Sequence, residues 1–214
     1  MRRRIEPGWV IVAIGFVALG LAFSARGMLS LAMPEWIAEF GWSRSFISNV
    51  MAITLVCMAG LAPLVGFAID RGGPRLILVG GLALVAGSTI VQAMMQGEIA
   101  FILGFIGLGA LGFGMVATHA VSSAVARSFE TRQGLAIGIA TSGSTAGQFV
   151  FMPVLGLLLA GGGWRLGYEA LAAGCAILAI LAWFLLRNSA PRAPRTAAAD
   201  DAESFGQRLA YLVR

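Results

Sequence analysis

Six long apolar runs, separated by short polar segments, dominate the pattern of hydrophobic and polar positions along this chain of 214 residues. An α-helix needs about 20 consecutive apolar residues to cross a bilayer, and the runs are of that order. None alternates apolar and polar positions as the strands of a membrane barrel do. The pattern therefore predicts an all-α membrane protein with six spans: Trp9 to about Met33, Ser45–Ile69, Leu76–Met95, Ile99–Ala126, Gly134–Leu159 and Leu171–Leu186.

The composition points to a lipid bilayer as the main partner of the chain. Hydrophobic residues make up 58% of it and charged residues 12%, whereas a soluble domain carries about 25% charged residues. Cys57 and Cys175 lie inside apolar runs and are interpreted as small buried residues. We expect no metal, cofactor or enzyme activity, because the sequence contains neither a metal-ligand cluster nor a nucleophile–base pair.

The basic residues predict the topology. All 15 are arginines, scattered through the polar segments without an aromatic stripe, which argues against a nucleic-acid partner. Basic residues concentrate on the cytoplasmic side of membrane proteins. With a cytoplasmic N-terminus, Arg44 and Arg165 lie outside, and the inner arginines are Arg2, Arg3, Arg4, Arg71, Arg75, Arg127, Arg132, Arg187, Arg192 and Arg195. Both termini are therefore expected in the cytoplasm, and a bacterial inner membrane is the expected location.

The domain organisation changes near residue 187. Residues 1–187 are expected to form the six-helix bundle. Residues 188–203 are rich in Ala, Pro, Arg and Asp, a composition typical of a flexible linker. Residues 204–214 place apolar side chains on one helical face, which predicts a short interfacial helix.

A glycine-rich segment between the second and third spans carries the clearest motif. A simple cytoplasmic turn accounts for its glycines, for Pro74 and for its arginines, but not for Asp70 at the membrane edge. A carboxylate there is well placed to face a helix N-terminus or an arginine of a neighbouring span. The segment also has a faint echo ninety positions later, where Gly162, Gly163, Arg165 and Leu166 repeat Gly72, Gly73, Arg75 and Leu76.

This motif, G-x-x-x-D-R-x-G-x-R, resembles the hallmark of the major facilitator superfamily. Its positions here are Gly66, Asp70, Arg71, Gly73 and Arg75. Other segments are similar to the oxalate/formate antiporter and monocarboxylate transporter-like branch: Phe40–Arg44, Val125–Phe129, Arg132–Ala140, Ser142–Gly143 and Gly163–Arg165. The resemblance extends over residues 9–187 and covers the N-terminal six-span half of a twelve-span fold.

The resemblance implies a secondary transporter that works by alternating access, as an antiporter or a symporter. Its N-terminal half would be two inverted repeats of three spans. A C-terminal half, or less readily a second copy of the chain, would complete the cavity. Asp70, Arg71, Arg75, Arg127 and Arg132 would make the interhelix contacts that hold one gate.

Arg26 is the candidate substrate-binding residue. It interrupts the first apolar run eight residues before Pro34, which places it about 12 Å below the expected outer end of the helix. A charge near the bilayer centre costs about 2.5–3.5 kcal/mol, so such residues usually mark pathways. The alternative is that Arg26 snorkels to the outer interface. No acidic residue lies in the middle of a predicted span, so an anionic substrate could supply the partner.

Three polar residues in the spans are weaker candidates for the same site. His119 could carry a proton near neutral pH, although a lone histidine in a bundle is more often hydrogen-bonded to a neighbour. Ser142 and Gln148 belong to a polar stripe of the fifth predicted span, which could line the cavity or bond across helices.

The glycines of the spans are interpreted as packing sites rather than as a nucleotide-binding motif. Gly107, Gly109 and Gly112 fit G-x-G-x-x-G, but that fingerprint needs a preceding strand and a βαβ context. Gly134/Gly138 and Gly143/Gly147 have the spacing of closely packed membrane helices. Leu103 occupies the position where drug/proton antiporters of the superfamily often carry an arginine, which disfavours drug efflux.

Together these observations predict the N-terminal half of a transporter for a small organic anion, a mono- or dicarboxylate. The alternative is a non-transporting fragment, or a membrane binding or regulatory protein that requires a partner half.

Overall fold

A computed structural model describes residues 7–129 and 131–186, apart from the side chains of Pro7, Asp70 and Pro74. The predicted linker and interfacial helix at 188–214 lie outside this range. The described residues are helical and contain no strand, which confirms the all-α class. The elements are α1 (Pro7–Phe40), α2 (Arg44–Ala93), α3 (Glu98–Ile102), a π-helix (Leu103–Gly109), α4 (Ala110–Met115), α5 (Thr118–Ala126) and α6 (Gln133–Leu185).

Five stretches of the described residues are long and apolar enough to cross a membrane: Gly8–Phe40, Arg44–Ile69, Arg75–Ala93, Glu98–Ala126 and Gln133–Leu185. The first four correspond to the first four predicted spans. The last two predicted spans both fall in α6, which has 53 residues. One residue interrupts its helical geometry, Gly163, with φ 75° and ψ 176°. We call residues 133–162 and 164–185 the first and second arms of α6.

Helix α1 is longer than the sequence predicts. It was expected to end near Met33, but it continues through Pro34 to Phe40. Proline removes one backbone hydrogen bond, and tertiary packing offsets that loss because Trp36, two residues later, is fully buried. Arg26 therefore lies about 21 Å from the end of the helix rather than about 12 Å, close to the middle of α1.

The three-residue turn between α1 and α2 follows from two local signals. Gly41 has φ 69° and its N–H donates to Ile37 O, a glycine C-cap of α1. Ser43 has an extended backbone, and its Oγ accepts the N–H of Phe46, an N-cap of α2.

Glycines let α1 and the first arm of α6 touch through their backbones. A Cβ on Gly147 would collide with Cα of Gly20, and a Cβ on Gly143 would collide with the backbone of Phe16. The predicted role of Gly143 and Gly147 in close packing is therefore confirmed. For Gly134 and Gly138 the described residues supply no close neighbour, because a Cβ on either would meet nothing within 4 Å, and close packing there stays a prediction.

The fourth span was expected to be one helix, and the structure divides it. The glycine-rich run forms the π-helix, and Val116 and Ala117 leave helical geometry before α5 begins. Close approach to α2 accompanies this irregularity, since a Cβ on Gly112 would lie 2.9 Å from the backbone N of Val85. Glycine supplies little helix propensity, so packing against α2 can dictate the backbone here.

Aromatic rings gather at one end of the bundle. Trp36 lies at the centre, with ring centroids 5.2 Å from Phe101, 5.9 Å from Trp164 and 6.0 Å from Tyr168. The aromatic cluster consists of Trp36, Phe40, Trp42, Phe46, Phe101, Phe105, Trp164 and Tyr168. The cluster brings together the segments that were predicted to lie outside.

We predict that Gly143→Ala lowers the stability of the bundle by about 1–3 kcal/mol, because the added methyl forces the α1 and α6 backbones apart. The measurement is thermal unfolding in detergent, in a background that carries Cys57→Ser, followed by a thiol-reactive fluorophore that labels buried Cys175 when the bundle opens. Gly138→Ala is the matched control on the same arm and should not lower the midpoint. Equal midpoints for the two variants would contradict the backbone contact.

Candidate functional site

Arg26 is half-buried in the middle of α1, next to aromatic rings of the bundle. Cζ of its guanidinium is 4.1 Å from the ring centroid of Phe23, one turn closer to the N-terminus, and 5.8 Å from that of Phe113 in α4. The side chain thus turns back along α1 toward its N-terminus.

The charge of Arg26 has no acidic partner among the described residues. Two aromatic rings stabilise the cation by about 0.5–2 kcal/mol each, but they cover it without accepting hydrogen bonds in the guanidinium plane. Its N–H donors are therefore available to a planar acceptor. Carboxylates accept such donors in pairs.

Gln148 is brought to the same turn of α1. Its Nε2 donates to Phe23 O at 3.2 Å, so it bonds the residue on whose ring Arg26 stacks. The neighbouring Gly27 is also covered by this arm, because its Cβ would lie 3.0 Å from Sδ of Met152. Of the two roles considered for Gln148, the structure displays the bond across helices.

The structure does not bring His119 and Ser142 into contact with Arg26. His119 is exposed at the second position of α5, and within the described chain its imidazole makes no hydrogen bond. Ser142 is also exposed, and its hydroxyl donates to Ile139 O of its own helix at 2.8 Å. His119 does follow the break at Val116–Ala117, and broken helices in membranes usually line cavities.

The predicted gating motif forms a sharp break rather than a loop. Gly73 alone departs from helical geometry within α2, with φ 67° and ψ −176°. Gly66 lies within the preceding helix, where a Cβ would meet nothing within 4 Å. The side chain of Asp70 lies outside the described part of the structure.

The motif arginines lie against aromatic rings. Arg71 is exposed, with Cζ 4.0 Å from the ring centroid of Phe67 on its own helix. Arg75 reaches across to the second arm of α6, where Cζ lies 3.8 Å from the ring centroid of Trp183. One expected interhelix contact of the motif is therefore present, and it uses an aromatic ring rather than a carboxylate.

The two remaining gate candidates follow α5. Arg127 is half-buried directly after the helix, and Arg132 is exposed with a left-handed backbone at φ 60° before α6 begins.

The internal echo has a structural counterpart. Gly163 and Gly73 are the helix-breaking residues of α6 and α2, and their φ and ψ angles agree within about ten degrees. A Cβ on Gly72 would collide with Leu76, and a Cβ on Gly162 would collide with Leu166 in the same way. The repeat therefore extends from sequence to backbone.

Four residues at the second break form what we call the latch: Glu35, Glu39, Trp164 and Arg165. Glu35 Oε2 accepts the backbone N–H of Trp164 at 3.1 Å. Glu39 Oε2 accepts the indole N–H of Trp164 at 2.8 Å, and Glu39 Oε1 accepts Nη2 of Arg165 at 2.6 Å. The latch joins the end of α1 to the start of the second arm of α6.

A second polar network supports the π-helix. Ser88 Oγ donates to Gly104 O at 2.7 Å, and Gln92 Nε2 donates to Ser88 Oγ at 3.0 Å. A π-helix leaves carbonyls without their usual α-helical donors, and Ser88 supplies one from α2. All of this network is buried.

Sequence reasoning missed several residues of this region. The contact of Arg26 with Phe23 could have been predicted from the sequence, because residues three apart on a helix are neighbours. Phe113 and the Glu35–Trp164 contact were not, because they join distant parts of the chain.

Comparisons with known proteins agree with the resemblance found in the sequence. A family model described as Major Facilitator Superfamily matches residues 15–212. Monocarboxylate transporter 11 of Homo sapiens is 28% identical over 210 residues, which cover 96% of this chain and 44% of the relative. Monocarboxylate transporter 14 of Mus musculus is 30% identical over 158 residues, covering 73% and 30%. Uncharacterized MFS-type transporter YcxA of Bacillus subtilis (strain 168) is 26% identical over 182 residues, covering 85% and 44%. The chain thus spans less than half the length of these relatives.

We predict that Arg26→Leu raises the unfolding midpoint. The change removes an intramembrane charge, which costs about 2.5–3.5 kcal/mol, and leaves no described carboxylate unpaired. Thermal unfolding in detergent measures the effect. Arg165→Leu is the control: it removes one partner of an exposed ion pair, which contributes little to stability, so the midpoint should stay close to that of the original chain. If Arg26→Leu lowers the midpoint as Gly143→Ala is expected to, Arg26 has a structural role instead.

Proposed function

Because the chain belongs to the major facilitator superfamily, we propose that it is the N-terminal half of a secondary transporter for a small organic anion, with Arg26 as the residue that binds the anion. The family is one of transporters and not of enzymes. The observation that carries the proposal is the position of Arg26, in the middle of α1, stacked on Phe23 and Phe113 and facing no carboxylate in the described structure.

A monocarboxylate fits this site better than a dicarboxylate. Arg26 is the one arginine in the middle of a described span, so it neutralises one carboxylate, and a second buried charge would stay unpaired at considerable cost. The rings of Phe23 and Phe113 beside the guanidinium suit a small organic tail. Two of the relatives are named monocarboxylate transporters, which supports the same class.

A second half is the proposed partner. Residues 44–72 of α2 and the first arm of α6 carry large exposed apolar side chains, among them Val56 and Phe149. The same faces hold Gly60, Gly134 and Gly138, where a Cβ would meet nothing within 4 Å. Small residues on a lipid-facing helix allow a neighbouring helix to approach closely. These faces suit a C-terminal half, or a second copy of the chain, that rocks against this one in alternating access.

We also propose that α6 crosses the bilayer twice, which gives six spans. A helix of 53 residues would be about 80 Å long, far more than the roughly 30 Å of hydrocarbon. The break at Gly163 divides it into two arms that are each long enough to span. Both termini would then be cytoplasmic, in a bacterial inner membrane.

The gate would lie at the first break. Asp70, Arg71, Arg75, Arg127 and Arg132 are its proposed residues, and the contact of Arg75 with Trp183 supports an interhelix role for this segment.

The alternative is a non-transporting membrane protein that binds a partner half. The same exposed faces would serve such a protein. An unpaired arginine in mid-membrane would then supply no function to compensate for its free-energy cost. Arg26 therefore favours transport.

We predict the topology by cysteine labelling in a background that lacks Cys57 and Cys175. Gly134→Cys and Gly161→Cys sit at positions where a side chain meets nothing within 4 Å. An impermeant maleimide applied outside intact cells should label Gly161→Cys, and Gly134→Cys should react only after the membrane is opened. Labelling of both from the same side would rule out two crossings by α6.

We predict that uptake of a radiolabelled monocarboxylate, such as benzoate, falls at least tenfold in Arg26→Ala. Arg26→Lys should lose less, because lysine keeps the charge but not the planar fork. The measurement uses liposomes that contain this chain paired with a C-terminal half. This chain alone, as a monomer, should move no solute.

Arg44→Ala is the control for uptake, since it removes an exposed arginine at the start of α2. Normal uptake in Arg26→Ala would refute the anion-binding role of Arg26. Solute movement by the monomer would refute the hypothesis that the chain is half of a transporter.

A further inference from the structure

The break at Gly163 leaves a backbone N–H group without an acceptor in its own helix, and a residue distant in the sequence accepts it. The first N–H groups of a helix have no acceptor within it, and the second arm of α6 begins directly after the break. The N–H of Trp164 donates to Glu35 Oε2, from a residue 129 positions earlier. A carboxylate in this position accepts an orphan donor and also faces the positive end of the helix dipole.

At the other break the first residue after the glycine has no N–H group to satisfy. Gly73 is followed by Pro74, which has no N–H to satisfy, whereas Gly163 is followed by Trp164. The two breaks share their backbone geometry, so this difference in one residue explains why an acceptor from α1 is present at the second break.

Glu39, one helical turn further along α1, makes a second set of contacts with the start of the second arm. Its two oxygens hold both the indole of Trp164 and the guanidinium of Arg165. An exposed ion pair contributes little by itself. Here the pair lies beside the capped helix end, so the two carboxylates together fix where the second arm starts.

The two arms of α6 hold α1 from two sides at the level of Arg26. The first arm contacts Phe23 through Gln148. The second arm contacts Met28, whose Cε would collide with a Cβ on Gly167, and Leu21, whose Cδ2 lies 3.4 Å from the Cβ position of Gly174. With these two faces occupied, Arg26 points to the remaining face, where Phe113 lies.

We propose that Glu35 and Glu39 are positioning residues for the anion site. They close the hinge at Gly163, so that the two arms of α6 clamp α1 and present Arg26 toward Phe113. This inference rests on the proposed function, since it concerns the same site, but the latch itself can be measured without any anion.

The first test is amide hydrogen exchange of the 214-residue chain in lipid nanodiscs. Glu35→Ala should speed exchange in residues 164–167 at least tenfold. Glu35→Gln should restore most of the protection, because its amide oxygen can still accept from Trp164. Glu98→Ala, which removes an exposed carboxylate at the start of α3, is the matched control and should leave exchange unchanged.

The second test is benzoate binding by the same nanodiscs. Glu35→Ala and Glu39→Ala should each raise Kd at least fivefold while the number of binding sites stays constant, and Glu35→Gln should stay within twofold of the original chain. A residue that merely supports folding would lower the number of sites instead.

The outcomes separate the two ideas. Unchanged exchange in Glu35→Ala, or an unchanged Kd when the original chain binds benzoate and Arg26→Ala does not, overturns the positioning role and leaves the proposed function standing. If the original chain binds no benzoate and the paired assembly transports none, the proposed function fails and the positioning role fails with it. In that case the exchange rates of residues 164–167 still show whether Glu35 protects the start of the second arm.

Discussion

Backbone contact between α1 and the first arm of α6, at Gly20 and Gly147, brings the elements of the candidate site together. In lipid there is little hydrophobic drive between helices, so association depends on close packing and on hydrogen bonds across the interface. Glycine on both sides lets the helices approach until Gln148 can reach Phe23 O. Phe23, on whose ring Arg26 stacks, is thereby tied through its backbone to the first arm of α6.

The two breaks show how the chain changes direction without leaving backbone groups unsatisfied. At Gly73 and Gly163 one glycine takes a positive φ, a conformation that costs other residues strain. The freed N–H group is then either absent, because a proline follows, or accepted by Glu35. In the apolar interior of a bilayer every backbone polar group needs a hydrogen-bond partner within the protein. The latch therefore has a role in the fold that is separate from its proposed role in transport.

How far the site could be foreseen differs from residue to residue. Arg26 stood out because a charge in an apolar run is costly, and Gln148 because it belongs to a polar stripe. His119 and Ser142 were chosen on residue type alone, and the structure does not bring them to Arg26. The pairs Gly134/Gly138 and Gly143/Gly147 have the same spacing, yet only the second faces α1. Spacing describes a helix and does not reveal which side meets a neighbour.

The sequence by itself determined that this is a helical membrane protein of a transporter family and where most spans lie. Run length against bilayer thickness suffices for that. Only the tertiary structure decided that α1 passes through Pro34, that Phe113 covers Arg26 and that Glu35 caps a helix far along the chain. These helices are apolar on all sides, so no amphipathic stripe marks a buried face. Their rotation and partners are set by packing between residues that are distant in sequence.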